Sequence, residues 1–179
     1  MGAAAYRAAH QLVDGGRVFK DALAIPILGI PPEKLRADAD EMPGGRGLRF
    51  FIAGRSAMAE SKLAEGVAQR GVTQLVVLGA GLDTFAYRSP FGDRLRIFEL
   101  DHPATQAWKR ERLIAASIAV PKHVSFVPVD FELASLSQAL SECGFDLARR
   151  SFFISTPEGT VGQSPTVAPI VALGLSRSL

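Results

Sequence analysis

Several things are scarce in this sequence, and each scarcity excludes a class of protein. A single cysteine, Cys143, cannot close an internal disulfide, so a reducing compartment is expected and the chain reads as cytoplasmic. Histidine is confined to His10, His102 and His123, with no second ligand at helical or hairpin spacing from any of them, which argues against a metal site. No apolar run approaches the ~18 residues of a membrane span, and no basic-then-apolar leader opens the chain. No Lys/Arg run makes an electrostatic footprint, and a net charge of +2 gives little reason to invoke nucleic acid. What remains suffices for a core: of 179 residues, 47% are apolar and 21% charged, the balance of one folded domain rather than a disordered chain.

The chain is organised around Leu75-Val76-Val77-Leu78-Gly79-Ala80-Gly81-Leu82-Asp83-Thr84. Four consecutive apolar residues, two of them β-branched, suit a parallel strand covered on both faces. Gly79 and Gly81 then permit a sharp turn and close approach of backbone to a ligand. Such turns stand at the carboxyl ends of strands, where open α/β sheets bind ligands. A dinucleotide fingerprint wants a third glycine where Thr84 stands, so the nicotinamide reading loses its helix–strand packing residue. A second strand, Leu95 to Asp101, ends on an acid about 20 residues past the turn, suited to a ribose diol. A third, Val124 to Val129, ends at Asp130, whose carboxylate suits an adenine amino group. Strand-end acids fit a cationic, phosphate-free adenosine ligand better than a pyrophosphate.

Gly79-Ala80-Gly81-Leu82-Asp83-Thr84-Phe85-Ala86-Tyr87-Arg88, followed by Phe98-Glu99-Leu100-Asp101-His102-Pro103 and Lys109-Arg110, resembles the S-adenosylmethionine-dependent methyltransferases related to leucine carboxyl methyltransferase. The Asp-Thr-x-x-x-Arg continuation and the Glu-x-Asp-x-Pro segment carry the resemblance, which covers roughly residues 3 to 153 and includes the helix around Arg7. It implies an α/β, Rossmann-like class I methyltransferase sheet, here with its first four strands in the order 3-2-1-4, behind an N-terminal helical extension. It also implies S-adenosyl-L-methionine as cofactor and transfer of a methyl group to a carboxylate or hydroxyl of a small-molecule or protein acceptor. Arg55 is expected to hold the cofactor's carboxylate as a bidentate fork. Gly79, Ala80 and Gly81 would line the turn, Asp101 would take the ribose, and Asp130 with Phe131 the adenine end. No catalytic residue is assigned.

Taken in order, Ala3 to Val13 reads as a helix stopped at Asp14-Gly15-Gly16, and Phe19 to Pro32 as an apolar, proline-broken connector. A short helix is expected from Pro31, and a long one from Leu48 to Gln69 whose stripe includes Phe51, Ile52, Met58, Leu63 and Val67. Asp83 is read as a turn cap or a direct ligand contact, Arg88 as the partner of a nearby acid, and Glu99 as a backbone hydrogen-bonding partner near the pocket. After Pro103, Trp108, Leu113 and Ile114 are expected to form the apolar side of a helix, with Lys109 to Arg112 as its solvated face. His102 reads as a partly exposed loop residue. A last helix, Leu133 to Glu142, precedes Cys143, read as a structural thiol.

Segments 1–45, 46–155 and 156–179 are accordingly expected to be a helical cap or lid, the cofactor-binding core and an atypical tail. After a strand at Ser151 to Ser155, the tail carries Pro157, Gly159, Gly162, Pro165 and Pro169, unlike the acceptor half of the family. Truncation or a changed reading frame near Phe153 is the expectation drawn from it, with a non-catalytic remnant as the alternative to an active enzyme. A sheet stopping at its fourth strand would leave an open edge for self-association.

Overall fold

The computed structural model describes residues 2–155. Helix α1, Ala3–Val13, is rich in alanine and ends where Gly15 and Gly16 take positive φ, a conformation that costs glycine little. The expected connector contains a short helix, α2, Ala24–Leu28, and the proline-led helix is α3, Pro32–Asp38. Helix α4, Gly45–Arg70, lies between two left-handed glycines, Gly44 and Gly71, and spans 26 residues. Strand β1, Gln74–Leu78, follows at once.

Beyond the glycine turn come the single turn α5, Phe85–Arg88, and strand β2, Arg96–Asp101. Helix α6, Pro103–Ala115, leads to β3, Val124–Pro128, and helix α7, Leu136–Glu142, to β4, Ser151–Ser155. All strand pairs are parallel and the order is β3-β2-β1-β4, as the family resemblance implies. Val76 pairs with Phe98 on one side and Phe153 on the other. This order brings the ends of β1 and β2 together, and with them the glycine turn and Asp101.

Strand alternation divides the core in two. Leu75, Val77, Ile97 and Ile154 pack with Leu63 of α4, whereas Val76, Phe98, Leu100 and Val127 pack with Leu140 of α7. Leu63, Leu75, Val76 and Phe98 are fully buried, each worth roughly 1.5–3 kcal/mol relative to exposure. Gln74 fastens the entry of β4: its amide donates to Asp146 O at 2.8 Å and Ser151 Oγ at 3.0 Å, while its Oε1 accepts the Asp146 N–H at 2.9 Å.

Helix periodicity is overridden in places by what lies opposite. Phe51 and Met58 of α4 are 48% and 58% exposed, so the expected stripe is narrower than its sequence pattern. On α6 the expected faces are partly exchanged. Leu113 is buried, but Trp108 and Ile114 are 48% and 79% exposed, and Lys109 is buried at 1%. Lys109 turns inward because a carboxylate, Glu99, waits inside the sheet at 2.8 Å. Arg112 reaches the carbonyl of Ile27 at 2.8 Å, and Arg110 lies over the Phe126 ring. Lys109 and Arg112 are therefore tertiary anchors, while Arg110 and Glu111 stay exposed as expected of a solvated face.

Candidate functional site

The glycine turn, Asp101 and Asp130 stand at the carboxyl ends of β1, β2 and β3. After β1, Gly79 and Gly81 adopt φ of +65° and +44°, and the N–H groups of Gly79 and Ala80 donate to Leu100 O at 2.9 and 3.2 Å. The turn is thereby fixed to the end of β2. One residue further along β2, Asp101 Oδ2 accepts the Gly81 N–H at 2.6 Å and Oδ1 accepts the His102 N–H at 2.7 Å. Each carboxylate oxygen carries two lone-pair sites, so one on each remains for a ligand. Asp101 is partly buried and stays accessible.

His102 exceeds the expectation of a plain loop residue. It caps α6, its Nδ1 accepting the Ala104 N–H at 3.2 Å, and its Nε2 lies 3.9 Å from Asp130 Oδ2. Asp130 also accepts the Glu132 N–H at 3.0 Å, which orients its carboxylate, and Phe131 beside it is 47% exposed. Asp130 borders an open hollow of about 630 Å³ between β3 and α7, shared with Leu133, Ala139 and Cys143.

Arg55 lies elsewhere. Together with Arg7, Glu60, Val77, Asp83 and Ser155 it lines a cavity between α4 and the ends of β1 and β4. The site residues read from the sequence thus fall along one rim in three groups: Arg55 in this cavity, the glycine turn with Asp101 at the centre, and Asp130 with Phe131 over the β3 hollow. Neither of these two cavities contains them all. A ligand touching all three would have to be extended.

Electrostatics under the turn are dominated by buried charge. Burial works to raise the Asp83 carboxyl, but Arg7, Lys109, the Phe85 N–H and Arg88 together outweigh it and hold the group below its ordinary value. Asp83 caps the following turn as expected, accepting the Phe85 N–H at 2.9 Å. Arg88 finds two acids, donating from Nε to Asp21 at 3.1 Å and from its other nitrogens to Glu60. Burial pushes Glu60 up against the pull of Arg88. Burial also raises Glu99, opposed by Lys109 and by the Tyr87 hydroxyl, which donates to Glu99 Oε2 at 2.7 Å. Glu99 therefore serves an internal ion pair, and its side chain does not meet the backbone as the sequence suggested. Burial, then the charge of Glu99, raises Tyr87 far above its ordinary range, so its hydroxyl stays protonated.

The family model for leucine carboxyl methyltransferase matches residues 1–159. The chain belongs to that family. Among curated relatives, a protein of Bacillus subtilis named "Putative S-adenosyl-L-methionine-dependent methyltransferase YktD" is 43% identical over 83 residues, 46% of this chain and 27% of the relative. A protein of Mycolicibacterium paratuberculosis with the same kind of name is 33% identical over 138 residues, 73% of this chain and 42% of its own length. One from Mycobacterium tuberculosis is 39% identical over 102 residues, 56% of this chain and 32% of its own. The matches thus span well under half of each of these relatives.

Family membership fits the strand-end geometry and leaves the nicotinamide reading without ground. Thr84, where the fingerprint would need glycine, is fully buried and donates from its hydroxyl to Asp21 at 2.7 Å. Sequence reasoning missed Asp21 and Glu60 as parts of this region, and assigned Lys109 to solvent. A carboxylate in an apolar connector, such as Asp21 between Phe19 and Leu23, was the available signal.

Proposed function

We propose that this chain binds S-adenosyl-L-methionine and takes part in methyl transfer to a carboxylate or hydroxyl oxygen of a small-molecule or protein acceptor. The observation that carries this reading is Asp101: a carboxylate at the end of β2, oriented by the Gly81 and His102 N–H groups and retaining acceptor capacity toward the crevice. When bound, the cofactor supplies a methyl group carried on a sulfonium. Asp101 accepts from the ribose hydroxyls, and the turn at Gly79, Ala80 and Gly81 lets backbone approach without an obstructing Cβ. Arg55 supplies a planar fork for a carboxylate. Asp130 accepts from an adenine amino group, with Phe131 as an apolar surface beside it.

A carboxylate acceptor is already ionised at neutral pH, so no general base is required of this chain. Its contribution is then positioning, which can supply much of the acceleration of such a transfer. Segment 1–45 acts as the cap over the crevice in this reading, segment 46–155 as the cofactor core, and the chain works in the cytoplasm. The outer edge of β4, unpaired among the described residues, would favour self-association. The atypical tail, with the truncation and remnant readings built on it, lies at residues 156–179, outside the described residues.

The test is calorimetric titration with S-adenosylhomocysteine and, in parallel, NAD. Micromolar binding of the first, abolished in Asp101→Ala, with no binding of the second, is expected. A folded wild-type chain that binds neither would overturn the reading.

A further inference from the structure

We propose that Asp21 is a positioning residue that latches the N-terminal helical segment to the loop Leu82-Asp83-Thr84, holding the glycine turn in its binding conformation. Asp21 lies between α1 and α2 and is 1% exposed. Its Oδ2 accepts from Arg7 Nε at 3.1 Å, and both oxygens stand 2.7 Å from Thr84 Oγ1. Oδ1 also accepts from Arg88 Nε at 3.1 Å and from the Leu23 N–H at 3.1 Å. Gln11 grips the backbone of Asp21 from both sides, donating to its carbonyl and accepting its N–H, each at 2.9 Å.

These contacts end on the loop that follows the glycines. Arg7 Nη2 donates to Leu82 O at 3.0 Å, so α1 holds Leu82 by its backbone while Asp21 holds Thr84 by its side chain, one on each side of Asp83. The glycine turn is then fixed twice: by Leu100 and Asp101 at its start and by Arg7 and Asp21 at its end. Gly79 and Gly81 give this segment more freedom than any other residue pair would, and freedom left in the unbound state opposes ligand binding when it is lost. Buried ionic clusters give little net stability over well-packed apolar groups. The geometry gives this one a different use, which is to specify a single loop arrangement. Arg88 extends the connection to Glu60 of α4, in the same cavity as Arg55.

The inference rests on the proposed cofactor site, and the experiment separates the two. Thr84→Val removes the hydroxyl at nearly constant shape, Thr84→Ser keeps it, and Asp21→Asn removes the charge. Each is measured for thermal midpoint, for S-adenosylhomocysteine affinity, and for amide hydrogen exchange at residues 79–84 without ligand. Thr84→Val is expected to fold, to bind roughly tenfold more weakly, as loss of one hydrogen bond to a charged group implies, and to exchange faster in the loop. Thr84→Ser restores both properties. Asp21→Asn gives the same pattern as Thr84→Val and decides the matter if the valine variant does not fold. Wild-type affinity and wild-type exchange in the folded variants overturn the latch and leave the proposed function standing. If wild-type protein does not bind the ligand, the proposed function fails, and loop exchange alone decides the latch: faster exchange in Thr84→Val supports it, unchanged exchange overturns it.

Discussion

Asp101 Oδ2 accepts the N–H of Gly81 at 2.6 Å, joining a carboxylate at the end of β2 to the glycine turn after β1. The carboxylate proposed to receive a ribose therefore also shapes the loop proposed to approach the ligand. Asp101→Asn tests the two roles together. An amide keeps one oxygen to accept from Gly81 but loses the charge and one acceptor. Weakening of S-adenosylhomocysteine by roughly tenfold is expected, by calorimetry, with little change in thermal midpoint. An unchanged affinity would remove Asp101 from the site.

Gly81→Ala addresses the backbone. A φ of +44° lies in the left-handed region, where a Cβ costs roughly 1–2 kcal/mol. The variant should lose about that much stability in urea titration, and its affinity should fall too, because relief of the strain moves the N–H away from Asp101. Loss of stability with affinity intact would show that the turn does not touch the ligand.

The Glu99–Lys109 pair is buried at 1% exposure for each residue, with Nζ 2.8 Å from Oε2. Lys109→Met leaves the buried Glu99 with the Tyr87 hydroxyl but without its counter-charge, and about 3–5 kcal/mol of stability should go at neutral pH. Adding Glu99→Gln should recover most of it, since a neutral pair of similar volume carries no unpaired charge. In the single variant the loss should shrink as pH falls, because protonating Glu99 discharges it. A double variant as unstable as the single one would place the defect in packing instead.

Acid stability follows from opposed carboxylates. Asp14 sits between Arg49 at 2.9 Å and His10. Burial works to raise it, but the Arg49 hydrogen bond and charge, with His10, hold it below its ordinary value of 3.8. A group lowered in the folded state stabilises above its unfolded pKa, and the contribution disappears as pH falls through the folded value. Asp83 behaves alike. Glu60 and Glu99 are raised, so their contribution is complete below about 4.5 and is lost as pH climbs through their folded values. Urea midpoints should therefore fall below about pH 4 in the wild type, and Asp14→Asn should flatten that limb. An identical acid limb in Asp14→Asn would refute this assignment.

Much of the architecture was legible because parallel strands buried on both faces leave continuous apolar runs, which neighbouring turns delimit. Leu75 to Leu78 and Arg96 to Asp101 stand where those runs place them, and their strand-end acids follow from chain continuity alone. Helix faces were less legible. On α6 the pattern assigns Trp108 inward and Lys109 outward, and the reverse is found because Glu99 attracts Lys109 from another element.

The sequence by itself determined the strands, the glycine turn, the acid at the end of β2 and the family, since all of these are local patterns of residue type and spacing. Tertiary structure alone decided what meets what. Asp21 and Thr84 are 63 residues apart and share a hydrogen bond, and Arg55 and Asp130 lie in separate hollows along one rim. Charged side chains are long and find partners through space, so their pairing is set by the folded geometry and leaves no periodic trace in the chain.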